Sequence, residues 1–445
     1  MYFWRSVTVA AFSVCNIENP IMVYNIVKPC AKIALSLYFR KMNISHQERI
    51  PKGKPVVLAA NHPTAFIEPC ILGCWSEEPM HYLARGDLYV NNSFVRRLYD
   101  WFHIVPVFRL DDLGYGGLKS NYESFGKCFE TLKANKQVTI LAEGRTKHEK
   151  RLRPLMKGTA RIVFGTLEKY PDLDIHIVPV GVNYTNPDQF RSDVRIDYGE
   201  PIRVQEYFPI YLENPAKGVS ALTQAIKNQL SERVIHLDNP ADDEWTEPLL
   251  AMHRNGPSTR LFPALSADPN PLFEEKKLAD RLNALSEPNR QELRLKVLEY
   301  LTLLRKSGTT DRGLMDHTSY SLGSALLLGL GWIPYMIGFV LNCAPIYLGN
   351  YFAKKKAKMV EFRASVAIFV SMVLYLFYWF GCLLTAILVG KWWLIGIVLA
   401  MPLLGYFAIA YHDLDIRWKD CQRAAVLDDV TEDKLLKMRE ELMTV

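Results

Sequence analysis

The apolar positions of this chain fall into two regimes. Up to about Tyr320, hydrophobic residues are interrupted by charges every few positions; from Ser321 to Tyr411 they run almost without a break. In the first regime, short apolar runs alternate with stretches of helical spacing. Residues 55–60, 80–84, 103–108, 137–142, 176–184 and 193–198 have strand length, and runs such as 138–141 are apolar enough for strands buried on both faces. Residues 64–74, 93–102, 118–134 and 158–169 between them read as helices. This alternation predicts an α/β fold, a layered domain with a mostly buried sheet flanked by helices. Residues 219–236 predict a helix packed back on that domain, and 274–305 a charged helix with periodic leucines. The Pro-, Asp- and Asn-rich stretch 239–263 predicts a loop.

Residues 21–42 carry apolar residues at helical spacing, with Lys28, Lys32, Arg40 and Lys41 on the other side. That pattern suits a core-packed helix and a helix lying on a membrane surface equally well. The second regime contains three runs, 321–351, 364–390 and 392–411. Each is long enough to span a bilayer, for which about 20 residues suffice. Three simple crossings would put Lys354, Lys355 and Lys356 on the far side from a cytoplasmic N-terminal domain, against the tendency of basic residues to remain inside. Gly329, Gly331, Pro334 and Pro345 favour another arrangement, in which the first run breaks and returns to the same side. The other two runs then form a hairpin turning at Gly390-Lys391, which brings Arg417 and Lys419 back. The expected division is a membrane-associated helical segment over 1–50, the α/β domain over 51–238, a helical connector over 239–318, and over 319–445 a transmembrane or re-entrant α-helical region with a short C-terminal helix.

Composition narrows the class. A chain of 445 residues has room for two or three domains. The net charge of +6 excludes an acidic disordered chain and suits a neighbour of anionic lipid or an enzyme of anionic substrates, without calling for nucleic acid. The eight cysteines form no Cys-x-x-Cys pair and lack the companions of a zinc site, so they read as reduced thiols used as small apolar residues. Residues 1–16 hold no small-residue cleavage site, and no cleaved signal peptide is expected.

The chemistry-bearing residues cluster at strand exits. His62 follows the run 55–60 and precedes Pro63, which disfavours helical geometry before it; Glu68 stands six residues on. Imidazole is the side chain best suited to taking a hydroxyl proton at neutral pH, and a carboxylate can fix its tautomer and stabilise its charged form. In one regular helix the two side chains would point about 240° apart, so they meet only if the backbone between them is irregular. By spacing alone, a core histidine with an unrelated surface glutamate is the favoured reading. Glu143-Gly144-Arg145-Thr146 follows the run 137–142 and leads to Lys157-Gly158. A glycine there allows close backbone approach, and Arg145 has the geometry to hold phosphate; a surface turn with an ion pair is the plain alternative. Lys147, Lys150, Arg151, Arg153 and Lys157 read by default as a solvated face. Arg85 and Arg109 each follow a strand candidate, Arg109 closing the sequence Pro106-Val107-Phe108-Arg109, and Val178-Pro179-Val180 lies in the run 176–184. Proline there suggests an edge, a bulge or a strand end.

In order and separation these four blocks resemble the PlsC-like glycerolipid acyltransferase family of glycerol-phosphate and lysophosphatidate acyltransferases. The closest branch is the one with a His-Pro-x-x-Phe-x-acid first motif. The resemblance covers residues 55–184. Glu68 stands where Asp is usual, and Ala142 where Pro is usual. The resemblance implies a membrane-bound O-acyltransferase of phospholipid biosynthesis with His62 as general base and Glu68 as its partner, without a covalent acyl-enzyme. Arg109, Glu143, Gly144 and Arg145 would contact the acceptor, with Arg85 and Lys157 as weaker candidates. The donor would be the thioester of acyl-CoA or of an acyl-carrier protein, and the acceptor glycerol-3-phosphate or lysophosphatidate. Membrane lipid would be the other partner; no metal, other cofactor or nucleic acid is expected. The expected location is an integral membrane protein with a cytoplasmic catalytic domain, in a bacterial cytoplasmic membrane or else an internal eukaryotic one. Acylation of an aminolipid or glycolipid, a lipid hydrolase and a non-catalytic lipid-binding relative are the alternatives.

Overall fold

The computed structural model describes residues 20–85, 93–107, 116–255, 264–316 and 320–444. Among these residues one mixed sheet contains β1 (Lys41–Ser45), β2 (Val56–Ala60), β3 (Met80–Arg85), β4 (Ile104–Val107), β5 (Gln137–Leu141), β6 (His176–Tyr184), β7 (Asp193–Tyr198), β8 (Ile202–Arg203) and β9 (Ala264–Ser266). Their spatial order is β4-β3-β5-β2-β6-β7-β1-β9, with β8 paired to β6. Strands β4, β3, β5, β2 and β6 are parallel; β7 runs antiparallel to β6, and β1 and β9 follow β7. The helices α1 (Pro20–Tyr38), α2 (Ile67–Trp75), α3 (Ser93–Trp101), α4 (Gly116–Lys133), α5 (Gly158–Lys169), α6 (Phe208–Glu213) and α7 (Pro215–Ser231) cover it.

Both faces of the central strands are buried, which is why those runs lack polar alternation. All of β2 is buried, and its side chains divide between two cores. Val57 and Ala59 join Val138, Ile140, Ile177 and residues of α5 and α7, whereas Val56, Leu58 and Ala60 join Val178, Val180 and residues of α1 and α2. The parallel strands all end on one edge, so the loops after β2 and β5 are neighbours.

Three departures from the sequence pattern have physical causes. The first helix stops at Tyr38, and β1 occupies residues expected to be helical. Arg191, with φ of 69°, takes up the end of α1: its N–H donates to Tyr38 O at 2.7 Å and its Nη1 to Leu37 O at 3.0 Å. With β1 and β9 included, the sheet extends past residues 51–238 at both ends. The stretch read as a loop contains α8 (Asp243–Arg254), whose first turn holds Asp243 and Glu244 and whose buried face holds Trp245, Leu249, Leu250 and Met252. Pro179 lies in a central strand rather than at an edge or strand end. Its carbonyl accepts from Gly199 N at 2.7 Å, and it falls where the partner of β6 changes from β8, ending at Ile177, to β7, starting at Val180. A residue without N–H is tolerated at that gap.

The charged stretch beyond divides into α9 (Asn270–Ala284) and α10 (Glu287–Lys306), followed by the short α11 (Asp311–Met315). The apolar runs become α12 (Leu322–Lys356), α13 (Val360–Val389) and α14 (Trp392–Ala424), each long and apolar enough to cross a membrane. The helix α15 (Asp429–Met443) then packs its Leu435 and Leu442 into a third core with Trp245, Leu249, Leu278, Val297 and Tyr300.

The first apolar run is helical throughout, with α12 passing through both prolines. Its glycines make room for neighbours. Gly331 lies against Tyr411 and Phe407, Gly338 against the Leu404 carbonyl and Gly349 against Ser371. Both ends of α12 stand at the globular body. Its first turns meet α14, where the Tyr411 hydroxyl donates to Leu328 O at 2.8 Å, and α14 is tied to the body by Arg417–Asp316 at 2.8 Å and by Arg191–Asp413. Its last residues lead within a few positions to Glu361, whose carbonyl accepts from Ala65 N at 3.2 Å. Lys354, Lys355 and Lys356 thus stand a few residues before the point where α13 meets the sheet domain. The other two runs form a hairpin whose turn is Gly390, at φ of 71°.

Candidate active site

The loop after β2 carries the first motif. Asn61 fixes its start: the side-chain oxygen accepts from Val182 N at 2.7 Å and the side-chain amide donates to Val182 O at 2.9 Å, clasping the end of β2 to β6. Regular helix begins only at Ile67, so residues 61–66 follow an irregular path. This is the condition under which His62 and Glu68 meet, and they do: His62 Nδ1 lies 3.8 Å from Glu68 Oε2, with side-chain exposures of 13% and 0%. At 3.8 Å the contact is an ion-pair distance rather than a hydrogen bond. Neither atom has another hydrogen-bond partner. The other carboxylate oxygen, Oε1, accepts the Thr64 N–H and so ties the acid to its own loop. Tyr184 is buried nearby; burial pushes its phenol well above the ordinary range, and the charge of Glu68 adds to the shift. A buried carboxylate thus faces the imidazole with one unshared oxygen.

The loop after β5 braces the first. Ala142 N–H donates to Ala60 O at 2.8 Å. Both oxygens of Glu143, expected from the resemblance to touch the acceptor, have partners within the protein. Oε2 accepts the His62 N–H at 2.9 Å and Arg153 Nη2 at 2.7 Å, and Oε1 accepts the Arg153 N–H at 2.8 Å. Arg153 Nη2 also donates to His62 O at 3.2 Å and to Arg145 O. Gly144 has φ of 67°, and a Cβ there would fall 2.8 Å from Met156 Cγ, so both conformation and space call for glycine. Arg145 is exposed at this loop, and Lys157 is exposed just before α5. Arg85 ends β3 opposite Val107. Arg109 lies outside the described residues.

The structure therefore brings together His62, Glu68, Glu143, Gly144 and Arg145. It adds residues the sequence reading did not single out. Asn61 and Thr64 hold the first loop. Arg153, read as part of a solvated basic face, is its central strut. Glu361 and Ser365 reach it from α13, with Phe66 N donating to Ser365 Oγ at 3.3 Å. A buried Glu beside a basic run was the available signal for Arg153; the α13 contacts left no local one.

A histidine thus faces an acid at the exit of a parallel strand, braced by a Glu-Gly-Arg turn. Residues 41–183 match the family model described as Acyltransferase. The chain is 31% identical over 102 residues to glycerol-3-phosphate O-acyltransferase 1 of Saccharomyces cerevisiae, an alignment covering 23% of this chain and 13% of that protein. It is 33% identical over 111 residues to glycerol-3-phosphate O-acyltransferase 2 of the same yeast, covering 25% and 15%. An uncharacterized acyltransferase of Schizosaccharomyces pombe is 24% identical over 243 residues, covering 51% and 34%. The matched segments thus span about a third or less of these relatives' lengths.

Proposed function

We propose that this protein is a membrane-bound O-acyltransferase that moves a fatty acyl group from the thioester of acyl-CoA or acyl-carrier protein to glycerol-3-phosphate or lysophosphatidate. Glycerol-3-phosphate is the first choice, because two relatives carry it in their names. The observation that carries the reading is the approach of His62 Nδ1 to the unshared oxygen of buried Glu68 within the segment that matches the Acyltransferase model.

In this mechanism the His62–Glu68 gap closes when substrate binds, so that Glu68 accepts the Nδ1–H and Nε2 is the basic nitrogen. Nε2 takes the proton of the acceptor hydroxyl as its oxygen attacks the thioester carbonyl. The tetrahedral intermediate collapses with cleavage of the C–S bond, and the thiolate leaves with the proton from the imidazolium. Ester and thiol are the products, and Glu68 stabilises the charged ring between the two steps. Arg145 and Arg109 are the candidates for the acceptor phosphate, which guanidinium binds bidentately; Arg85 and Lys157 would add positive charge. Glu143 acts on the backbone of His62. The helices α12 to α14, and a stripe on α1 of exposed Met22, Ile26 and Ile33, would keep the site at a bilayer, where long acyl chains partition.

The test is transfer by the purified full-length protein in detergent, given labelled acyl-CoA or labelled acyl-carrier protein thioester with glycerol-3-phosphate, lysophosphatidate or no acceptor. Ester formation that depends on one phosphate-bearing acceptor is expected. Release of free fatty acid alone points to a hydrolase, and ester formation on neither acceptor removes the reading.

A further inference from the structure

The helix α13 does more than enter the apolar region: its first two turns are built onto the active-site loop. Glu361, Ala364, Ser365 and Ile368 share one helical face. The Glu361 carbonyl accepts the Ala65 N–H at 3.2 Å, and Ser365 Oγ accepts the Phe66 N–H at 3.3 Å. These two amides lie between His62 and Glu68. The carboxylate of Glu361 accepts the His148 N–H at 3.4 Å, so one residue touches both loops of the site. Ala364 is buried in the core formed by the sheet with α1 and α2, Ile368 packs beside it, and the Phe362 ring meets Phe66 edge-on at 5.8 Å.

We infer that Glu361 and Ser365 are positioning residues for acyl transfer, setting the His62–Glu68 separation from the apolar hairpin. A mere anchor would need apolar contact with any stable surface of the domain. Here the helix takes up backbone donors of the five-residue segment that must turn back for Glu68 to face the imidazole. That segment is irregular, with no ladder of its own to hold it, so the separation depends on such outside acceptors. The hairpin is then part of the catalytic apparatus, and the reaction is coupled to how α13 is seated. This inference rests on the proposed reaction for its kinetic consequence, but its geometric content is independent of substrate.

The experiment uses full-length protein in nanodiscs, comparing wild type with the double variants E361A/S365A and E361Q/S365T. The first readout needs no substrate: modification of His62 by diethyl pyrocarbonate across pH 5–8, followed by peptide mass spectrometry with the more exposed His236 as internal reference. The second is kcat and KM with the acceptor that supports transfer. E361A/S365A leaves the Glu361 carbonyl on Ala65 N–H but removes the carboxylate from His148 N–H and the hydroxyl from Phe66 N–H; His62 modification is then expected to change about threefold relative to His236, and kcat to fall about tenfold with donor KM little changed. E361Q/S365T, which keeps an acceptor at each position, is expected to stay near wild type in both. If His62 reacts at the same rate and with the same pH midpoint in every form, α13 only stabilises the fold and the inference is overturned, whatever happens to the melting temperature. Should the double alanine variant not fold, S365A alone carries the same comparison. A wild type without turnover defeats the proposed reaction, while the modification readout still decides the positioning role.

Discussion

The main-chain N–H of His62 donates to Glu143 Oε2 at 2.9 Å, and the same oxygen receives Arg153 Nη2 at 2.7 Å. Two residues distant in the chain thus fix His62 by its backbone, while its ring faces Glu68. The motif glutamate is a strut, and its charge is matched by an arginine within the protein.

Removing that strut leaves the partly buried Arg153 guanidinium without its carboxylate. Breaking a buried pair from one side typically destabilises by about 3–5 kcal/mol, and the 18% exposure of Arg153 puts this case toward the lower end. Glu143→Ala is expected to lower the melting temperature and the transfer rate together. Glu143→Gln, which retains acceptor and shape, is expected to fall between it and wild type. Thermal unfolding in detergent checks this; an alanine variant as stable as wild type would count against the strut.

His62→Ala removes the proposed base and keeps the backbone bonds around it. The rate is expected to fall by about 10²–10⁴-fold, the range typical of a lost general base, with unchanged unfolding. Glu68→Gln should cost less, because it retains a hydrogen-bonding group for Thr64 N while losing the charge that stabilises imidazolium. Steady-state kinetics on both variants decide it: near-normal turnover of the alanine variant rules out His62 as base, and full turnover of the Gln variant assigns its orientation to another group.

Much of this arrangement could be read along the chain, because the informative features are local. The six runs expected as strands became β2 to β7, and the central ones, buried on both faces, are the most continuously apolar. The need for an irregular path between His62 and Glu68 followed from helix geometry. What escaped was short or distant. The strand β1 has five residues and only Met42 and Ile44 as apolar markers. The pairing of Glu143 with Arg153 was hidden in a basic run that has the composition of a solvated face. Glu361 contacts His148 across 213 positions, a separation that leaves no periodic trace. The glycines of α12 signal a break or a close contact equally well, and the neighbouring helices decide which.

Gly144 offers a test of the second loop on its own. At φ of 67°, alanine would be strained, and its Cβ would press on Met156. Residues forced into such conformations lose about 1–3 kcal/mol. Gly144→Ala is expected to lower stability by that amount and to reduce turnover by displacing Glu143 and Arg145. Chemical denaturation measures the first effect; an unchanged midpoint would mean the loop relaxes freely.

The last prediction concerns acid stability, at a point remote from His62. His81 and His103 stack with ring centroids 4.8 Å apart. Burial, helped by the charges of His103 and Lys136, lowers the His81 pKa to about 4, and burial with Lys136 lowers that of His103. In the unfolded chain an imidazole titrates near 6.5. Between roughly pH 6.5 and 4 the unfolded state therefore binds more protons than the folded one, so stability falls as pH is lowered through that window and is fully present above it. His81→Phe keeps a ring in the stack and removes one of the two sites. Its melting temperature is expected to decline less than that of wild type between pH 7 and 4.5, with the difference vanishing above pH 7 apart from a constant offset. Parallel declines in the two proteins would show that the acid sensitivity lies elsewhere.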